Sequence, residues 1–321
     1  MAEKIKIGIG APTYNSVSRL EQLLTSLEFY KDDSLNCEVK TVILDDGTKD
    51  IEKREGVREL ALRFGTDFIQ HETNLGIPAA WNSLTNHFKD ISYMVLFNDD
   101  ISVSQNWLRN FLYFMENNKK VGACGFQIVH INPATSMPDK QYAPPGEDGI
   151  PGKVGSPAGC GFGFRKSLWE QVVNSDSSVG FWVSLCSFYE ELSFSFELAK
   201  MGYYSFQLPT PNLDHWGSRT FSENSSLSVR PIIDYFPKEE YLSRLKENKN
   251  LWIPFEQHEK LAESNLALRM DYARMMFAKH WGCDDYLNNP QASVHSRYVD
   301  ILPPIEIKWL DRNGNEKEQL I

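Results

Sequence analysis

Two acidic pairs, a turn rich in carboxylates and one histidine carry the chemistry legible in this chain. Asn98-Asp99-Asp100 follows the apolar run Tyr93–Phe97. Adjacent carboxylates at a strand terminus repel each other unless they are solvated, hydrogen-bonded or bridged by a cation. Hard oxygen ligands suit Mg²⁺ or Mn²⁺, which in turn bridge phosphate oxygens. The plainer reading is a helix cap for the segment that begins near Ser104. Glu190-Glu191 opens an expected helix, where acidic residues also complement the helix dipole. Its functional reading makes one of the two a general base that accepts a proton from an incoming hydroxyl. Asp45-Asp46-Gly47-Thr48 is either a simple turn after a strand or a carboxylate aimed at the ring N–H of a uracil or guanine. His215, in Asp214-His215-Trp216-Gly217-Ser218, is either an ordinary loop histidine or a metal ligand. His280 and Cys283 have no accompanying second pair, so a zinc site is discarded.

These residues need a frame to hold them. Apolar strands expected at Lys4–Gly10, Val39–Leu44, Asp67–Gln70 and Tyr93–Phe97 alternate with helical patterns over Val17–Tyr30, Ile51–Phe64, Ile77–Phe88 and Trp107–Met115. Strands interleaved with helices predict parallel βαβ units and a doubly wound α/β sheet. Such sheets bind ligands outside the carboxyl ends of their strands. Ala11-Pro12-Thr13-Tyr14-Asn15, Asp45-Asp46-Gly47 and Asn98-Asp99-Asp100 all fall at such ends. A strand over Val121–Ile131 precedes a long irregular stretch, Asn132–Ala158, carrying six prolines, which reads as a lid or a surface excursion. Further elements are expected at Gly159–Phe164, Lys166–Val173, Glu190–Met201 and Tyr203–Gln207. Beyond Thr220 the alternation stops, with helices expected at Lys238–Glu247 and Phe255–His280 and a strand-like segment at Ile301–Trp309. The domain division is thus 1–220 and 221–321.

Composition narrows the partners. The 321 residues are 41% hydrophobic and 12% aromatic, enough to bury a sizeable core. The net charge is −10, without a basic tail, which disfavours a nucleic-acid partner. An acidic site still binds a diphosphate when a divalent cation sits between the two. Five scattered cysteines without CxxC spacing read as free thiols in a reducing compartment. MAEKIKIGIG turns into a strand too early for a signal peptide, and no run reaches the length of a membrane span, so a soluble, cytoplasmic protein is expected. Gly8-Ile9-Gly10 lacks the third glycine of a dinucleotide loop, with Thr13 in its place. Nothing in the sequence sets the oligomeric state.

The order of the clusters resembles the family 2 glycosyltransferases, nucleotide-sugar enzymes of GT-A fold. The matching pieces are Ala11-Pro12-Thr13-Tyr14-Asn15, Ile43-Leu44-Asp45-Asp46-Gly47-Thr48, Asn74-Leu75-Gly76 with Ala79-Ala80-Trp81-Asn82, and Leu96-Phe97-Asn98-Asp99-Asp100-Ile101. Gly159-Cys160-Gly161-Phe162-Gly163-Phe164-Arg165-Lys166 and Phe188-Tyr189-Glu190-Glu191-Leu192-Ser193 follow, and His215-Trp216-Gly217-Ser218 resembles the histidine motif of rhamnosyltransferase-like members. The resemblance runs from about Ile5 to Thr220.

Carried over by position, it implies that Pro12, Thr13 and Asn15 line a nucleotide pocket and that Asp45 or Asp46 reads the base. Asn74 and Asn82 would border nucleotide and donor sugar, Asp100 would bind Mn²⁺ or Mg²⁺ with His215 as second ligand, and Glu191 would be the base. Asn98 stands where the family's DxD begins with Asp; its neutral amide can hydrogen-bond the ribose or sugar but brings no charge to the cation, which leaves Asp99 as a substitute. Glu190-Glu191 replaces the usual Glu-Asp, which leaves Glu190 open as the base. The implied reaction is inverting transfer from a nucleoside diphosphate sugar to an acceptor hydroxyl, a saccharide favoured over a modified nucleobase. A catalytically silent nucleotide- or glycan-binding module is the alternative. A sugar nucleotidyltransferase would need a glycine- and arginine-rich triphosphate loop, which Ala11–Asn15 lacks.

Overall fold

Alternation of period two in the strands and of period near four in the helices sorts the apolar side chains onto two faces of one sheet. The computed structural model describes residues 3–132, 137–142, 149–175, 190–216, 277–278, 280–283 and 290–321. In chain order the elements are β1 (Ile5–Thr13), α1 (Val17–Phe29), β2 (Cys37–Asp45), α2 (Ile51–Arg63), β3 (Asp67–Gln70), α3 (Ile77–His87) and β4 (Tyr93–Phe97). They continue with β5 (Ile101–Ser102), α4 (Trp107–Asn117), β6 (Val121–Asn132), β7 (Met137–Tyr142), β8 (Gly152–Val154), β9 (Gly161–Arg165), α5 (Lys166–Ser175), α6 (Glu190–Lys200) and β10 (Tyr204–His215). A last helix, α7 (Pro290–Tyr298), precedes a hairpin of β11 (Glu306–Leu310) and β12 (Glu316–Leu320).

Among the described residues the main sheet has ten strands, with the order β3-β2-β1-β4-β9-β6-β10-β5. The first four are parallel, as the βαβ alternation predicts. β9 then runs antiparallel between β4 and β6, so the sheet is mixed rather than uniformly parallel. β10 pairs parallel with β6 and antiparallel with β5.

One face carries Ile7, Ile9, Ile43, Val95 and Phe97 against Leu20, Leu23, Val57, Leu60, Phe111 and Phe114 of α1, α2 and α4. The residues between them, Val42, Leu44, Met94 and Leu96, pack on the other face against Trp81, Leu84, Leu168, Trp169, Phe194 and Leu198 of α3, α5 and α6. Each such side chain removed from water contributes about 1.5–3 kcal/mol. Helix α2 begins where Asp50 accepts hydrogen bonds from the Glu52 and Lys53 N–H groups.

The stretch Asn132–Ala158, expected to be irregular, contains two strands. β7 pairs antiparallel with β6, and β8 with β10. Pro138 lies opposite Ile131, beside the register shift between His130 and Ile131, where the ladder is interrupted and a missing N–H costs little. The pairing is made with distant partners, which local composition does not encode.

The helices expected over Lys238–Glu247 and over most of Phe255–His280 lie outside the described residues. The strand-like segment expected at Ile301–Trp309 is the first strand of the terminal hairpin. Ile307 and Trp309 alternate inward and join the cluster on α4, whereas every residue of β12 is exposed. The Asn118 amide donates to Lys308 O (2.8 Å) and accepts from Lys308 N (2.9 Å), bonding the hairpin as a neighbouring strand would. The Trp309 indole N–H donates to Gly149 O at 3.0 Å.

Candidate active site

The polar clusters meet along the carboxyl edge of β2, β1 and β4. Thr13, the last residue of β1, is in register with Asp45, the last of β2. The chain then turns through Asn15, whose φ of 56° is a left-handed conformation that asparagine tolerates. Asn15 N–H donates to Thr48 Oγ1 at 3.0 Å, and Asp46 N–H to Thr13 O at 2.9 Å, lacing the two turns together. Pro12 is buried within β1, in register with Leu44.

Asp45 and Asp46 face different tasks. Asp45 is fully buried; its Oδ1 accepts the Thr48 N–H at 3.1 Å, and its Oδ2 has no hydrogen-bond partner. Asp46 accepts the Leu75 and Gly76 N–H groups, both at 2.9 Å, and its Oδ1 lies 2.8 Å from His71 Nδ1. His71 Nε2 is 3.0 Å from Ser83 Oγ on α3. Asp46 thereby pins the loop that holds Asn74, while Asn82 is buried on the same helix as Ser83. Gly47 makes the approach possible: its φ is 76°, and a Cβ there would stand 2.2 Å from the Thr73 carbonyl carbon. His71 and Ser83 went unread in the sequence, where neither belongs to a motif.

After β4 the chain forms the second cluster. Asn98 N–H donates to Cys160 O at 3.0 Å, and Asn98 Oδ1 is buried without a partner. The Thr13 hydroxyl donates to Asp99 Oδ2 at 2.6 Å. Burial first, and the neighbouring Asp100 charge second, push the Asp99 carboxyl up to about 7. Asp100 is also buried; its Oδ2 lies 3.3 Å from His215 Nε2, and its Oδ1 has no hydrogen-bond partner. The antiparallel pairing of β10 with β5 sets that contact, with His215 opposite Ile101 and Trp216 N–H donating to Asp100 O at 3.0 Å. His215 Nδ1 is in turn 3.1 Å from Nδ1 of His130 on β6, a residue the sequence hides inside an apolar strand.

The acidic pair opens α6. Glu190 is 5% exposed, and its Oε2 is buried without a partner. Burial and the Glu191 charge together raise its pKa well above the usual carboxylate range. Glu191 is more open, and burial pushes its carboxyl up to about 7. A Cβ on Gly159 would approach Glu191 Oε1 to 3.0 Å, so the bare glycine gives that carboxylate its room. Burial raises the Cys160 thiol, and the charges of Asp100 and Glu191 raise it further. Glu191 therefore lies beside the short turn that leads into β9, the turn whose Cys160 O accepts the Asn98 N–H.

Two oxygen and nitrogen donors, Asp100 Oδ1 and His215 Nε2, suit a hard divalent cation whose remaining positions go to phosphate and water. Among the described residues no three His, Cys, Asp or Glu side chains form a complete cage. A 320 Å³ cleft at the opposite edge of the sheet, lined by Lys6, Lys40, Asp67, His87 and Asp90 among others, holds none of these residues.

This mixed α/β sheet with polar clusters at its carboxyl edge is the scaffold that the resemblance to GT-A glycosyltransferases implies. The family model for glycosyl transferase family 2 matches residues 9–173, a little over half of the chain, and the chain belongs to that family. It is a glycosyltransferase. The match takes in Asp45, Asp46, Asp99 and Asp100 and stops before Glu190, Glu191 and His215.

Solved structures of the same fold include GalNAc-T7 with UDP, GalNAc and Mn²⁺, at 12% identity and a TM-score of 0.55, over 100% of this chain and 65% of that one. S. aureus TarS 1-349 aligns at 16% identity and a TM-score of 0.52, over 98% of each chain. A longer S. aureus TarS structure gives 16% and 0.51, over 98% of this chain and 60% of that one. The chain thus spans less than two thirds of GalNAc-T7 and of the longer TarS. At these identities the likeness is one of fold. No curated protein sequence matches the chain. Among the described residues no helix is long and apolar enough to cross a membrane.

Proposed function

We propose that this glycosyltransferase moves a sugar from a nucleoside diphosphate sugar to an acceptor hydroxyl, with inversion and with Mn²⁺ or Mg²⁺ bound. One observation carries the reading: a single turn before β9 touches both acidic clusters, with Cys160 O accepting the Asn98 N–H at 3.0 Å and Gly159 lying against the Glu191 carboxylate.

Asp100 and His215 hold the cation, as the buried and unpartnered Asp100 Oδ1 supports. When bound, the cation neutralises the charge that builds on the departing diphosphate. Asp99, tied to Thr13, orders the end of β1 beside the nucleotide. The unpartnered Asp45 Oδ2 is an acceptor suited to a base ring N–H, and the Asp46 carboxylate keeps the 74–76 loop in place around donor and sugar. Asn98 Oδ1 remains as a neutral acceptor for a sugar or ribose hydroxyl.

Glu191 is the better placed of the acidic pair, being more open, beside Gly159 and with a carboxyl near neutrality. It takes the acceptor proton during in-line attack, which inverts the anomeric carbon. The chain's acidity favours a saccharide acceptor over a nucleobase in a polyanion. Cys37, Cys124, Cys160 and Cys283 are free thiols among the described residues, which supports a cytoplasmic setting.

The test is incubation with a panel of nucleotide sugars, Mn²⁺ and candidate saccharides, reading free nucleoside diphosphate and the anomeric configuration of the product. Release dependent on both cation and acceptor is expected. Nucleotide binding without turnover under any pairing would leave only a binding module.

A further inference from the structure

We infer that His130 is a positioning residue that fixes the ring and the tautomer of His215 for cation binding. This rests on the reading of Asp100 and His215 as the cation pair and extends it to a third strand. β6, β10 and β5 lie side by side, and register sets His130 opposite His215 and His215 opposite Ile101, the residue after Asp100. The side chains follow the same line. His130 Nδ1 is 3.1 Å from His215 Nδ1, and His215 Nε2 is 3.3 Å from Asp100 Oδ2. The two rings meet edge to face, with centroids 4.6 Å apart and planes at 65°. His215 is 6% exposed, so its ring cannot turn to water without losing both contacts.

Two imidazole nitrogens at hydrogen-bond distance need one proton between them. In one arrangement His130 Nδ1–H donates to His215 Nδ1, and His215 Nε2–H points at Asp100. In the other, His215 Nδ1–H donates to the lone pair of His130 Nδ1, and the His215 Nε2 lone pair faces Asp100. Only the second offers a ligand to a cation beside the unpartnered Asp100 Oδ1. His130, neutral and protonated on its Nε2, is the acceptor that holds this form. Partners of this kind fix ligand orientation, and their loss typically costs about 10–100-fold in metal affinity. An apolar side chain at 130 would leave a buried N–H on His215 without an acceptor.

The experiment is a Mn²⁺ titration of the full chain, followed by the electron paramagnetic resonance of free Mn²⁺, on the unaltered protein and three variants. His130→Phe is expected to weaken Mn²⁺ binding by about 10–100-fold. His130→Asn, whose Oδ1 takes the place of Nδ1 as acceptor, is expected to recover most of it. Nitrogen NMR of labelled histidines in the unaltered protein with Mg²⁺ should show His215 protonated on Nδ1, a readout that needs no variant to fold. Binding by His130→Phe within twofold of the unaltered protein, or equal loss in Phe and Asn, overturns the inference, as does a His215 protonated on Nε2 with Mg²⁺ bound. Asp100→Ala separates the two readings. If it too leaves Mn²⁺ affinity unchanged, the cation pair itself is wrong; if it alone loses Mn²⁺, only the role of His130 falls.

Discussion

The Thr13 hydroxyl donates to Asp99 Oδ2 across 2.6 Å, joining strand ends 86 residues apart. One member of the acidic pair is thereby taken up by the protein, while Asp100 keeps a bare, buried oxygen. Under the proposed reading the pair divides into a structural half and a ligand half, and that division is open to experiment.

Asp100→Ala is expected to abolish the stimulation of turnover by Mn²⁺. Asp99→Ala should lower stability and donor affinity yet keep a response to the metal. Nucleoside diphosphate release across a Mn²⁺ series separates them, and full stimulation in Asp100→Ala would reject its role.

Glu191→Gln removes the proton acceptor with little change in shape. Transfer should fall by about 10²-fold or more, with donor affinity preserved. Glu190→Gln should cost less, because its carboxyl is the more buried of the two. Rate and nucleotide affinity measured on both variants give the answer; parallel loss of the two in Glu191→Gln would mark it as structural.

The acidity of Glu191 sets a pH profile. With its carboxyl pushed up to about 7, kcat/KM should climb with pH through neutrality and level off above it, and Glu191→Gln should lose that limb. Stability moves the other way. The folded chain holds the Glu191 proton more tightly than the unfolded chain, so its contribution declines as pH rises from about 4.5 toward 7, and Glu190, also raised, adds a decline of the same sign. Urea midpoints at pH 5 and pH 8 without divalent cation, compared between the unaltered chain and Glu191→Gln, should show the smaller decline in the variant.

Gly47→Ala combines a positive φ with collision against the Thr73 backbone. A loss of about 1–3 kcal/mol is expected, together with weaker donor binding, since the 73–76 loop must withdraw from Asp46. Urea denaturation and nucleotide titration report the two effects separately.

A nucleoside diphosphate with Mn²⁺, at 100 times its Kd, should stabilise the fold by about 2.7 kcal/mol. Absence of any thermal shift with the diphosphates of uridine, guanosine and thymidine would count against the pocket at Thr13, Asn15 and Asp45.

The sequence displayed the first half of the fold well because its signals are local. Tyr93–Phe97 and Asp67–Gln70 are bounded by turn residues, and their limits agree with the strands observed. β7 and β8 escaped notice because Pro138 and its neighbours look like loop; only partners far along the chain make strands of them. The acidic clusters were visible as residue types at strand ends. His71, Ser83 and His130 were not, since each acts through a partner 12 or more residues away in a segment that otherwise reads as ordinary helix, loop or strand. Which carboxylate of each pair faces ligand was equally hidden, because that depends on the hydrogen bonds its partner accepts.

At the far end of the chain, Asn118 and Trp309 hold one side of the terminal hairpin, while Asp311 caps its bend by accepting the Asn313 and Asn315 N–H groups. Insertions are best accommodated at the exposed Asp311–Asn315 bend, where extra residues would extend into water. A single added residue before Lys308 that shifts the register would instead flip Trp309 outward and break its fit to the helix beneath.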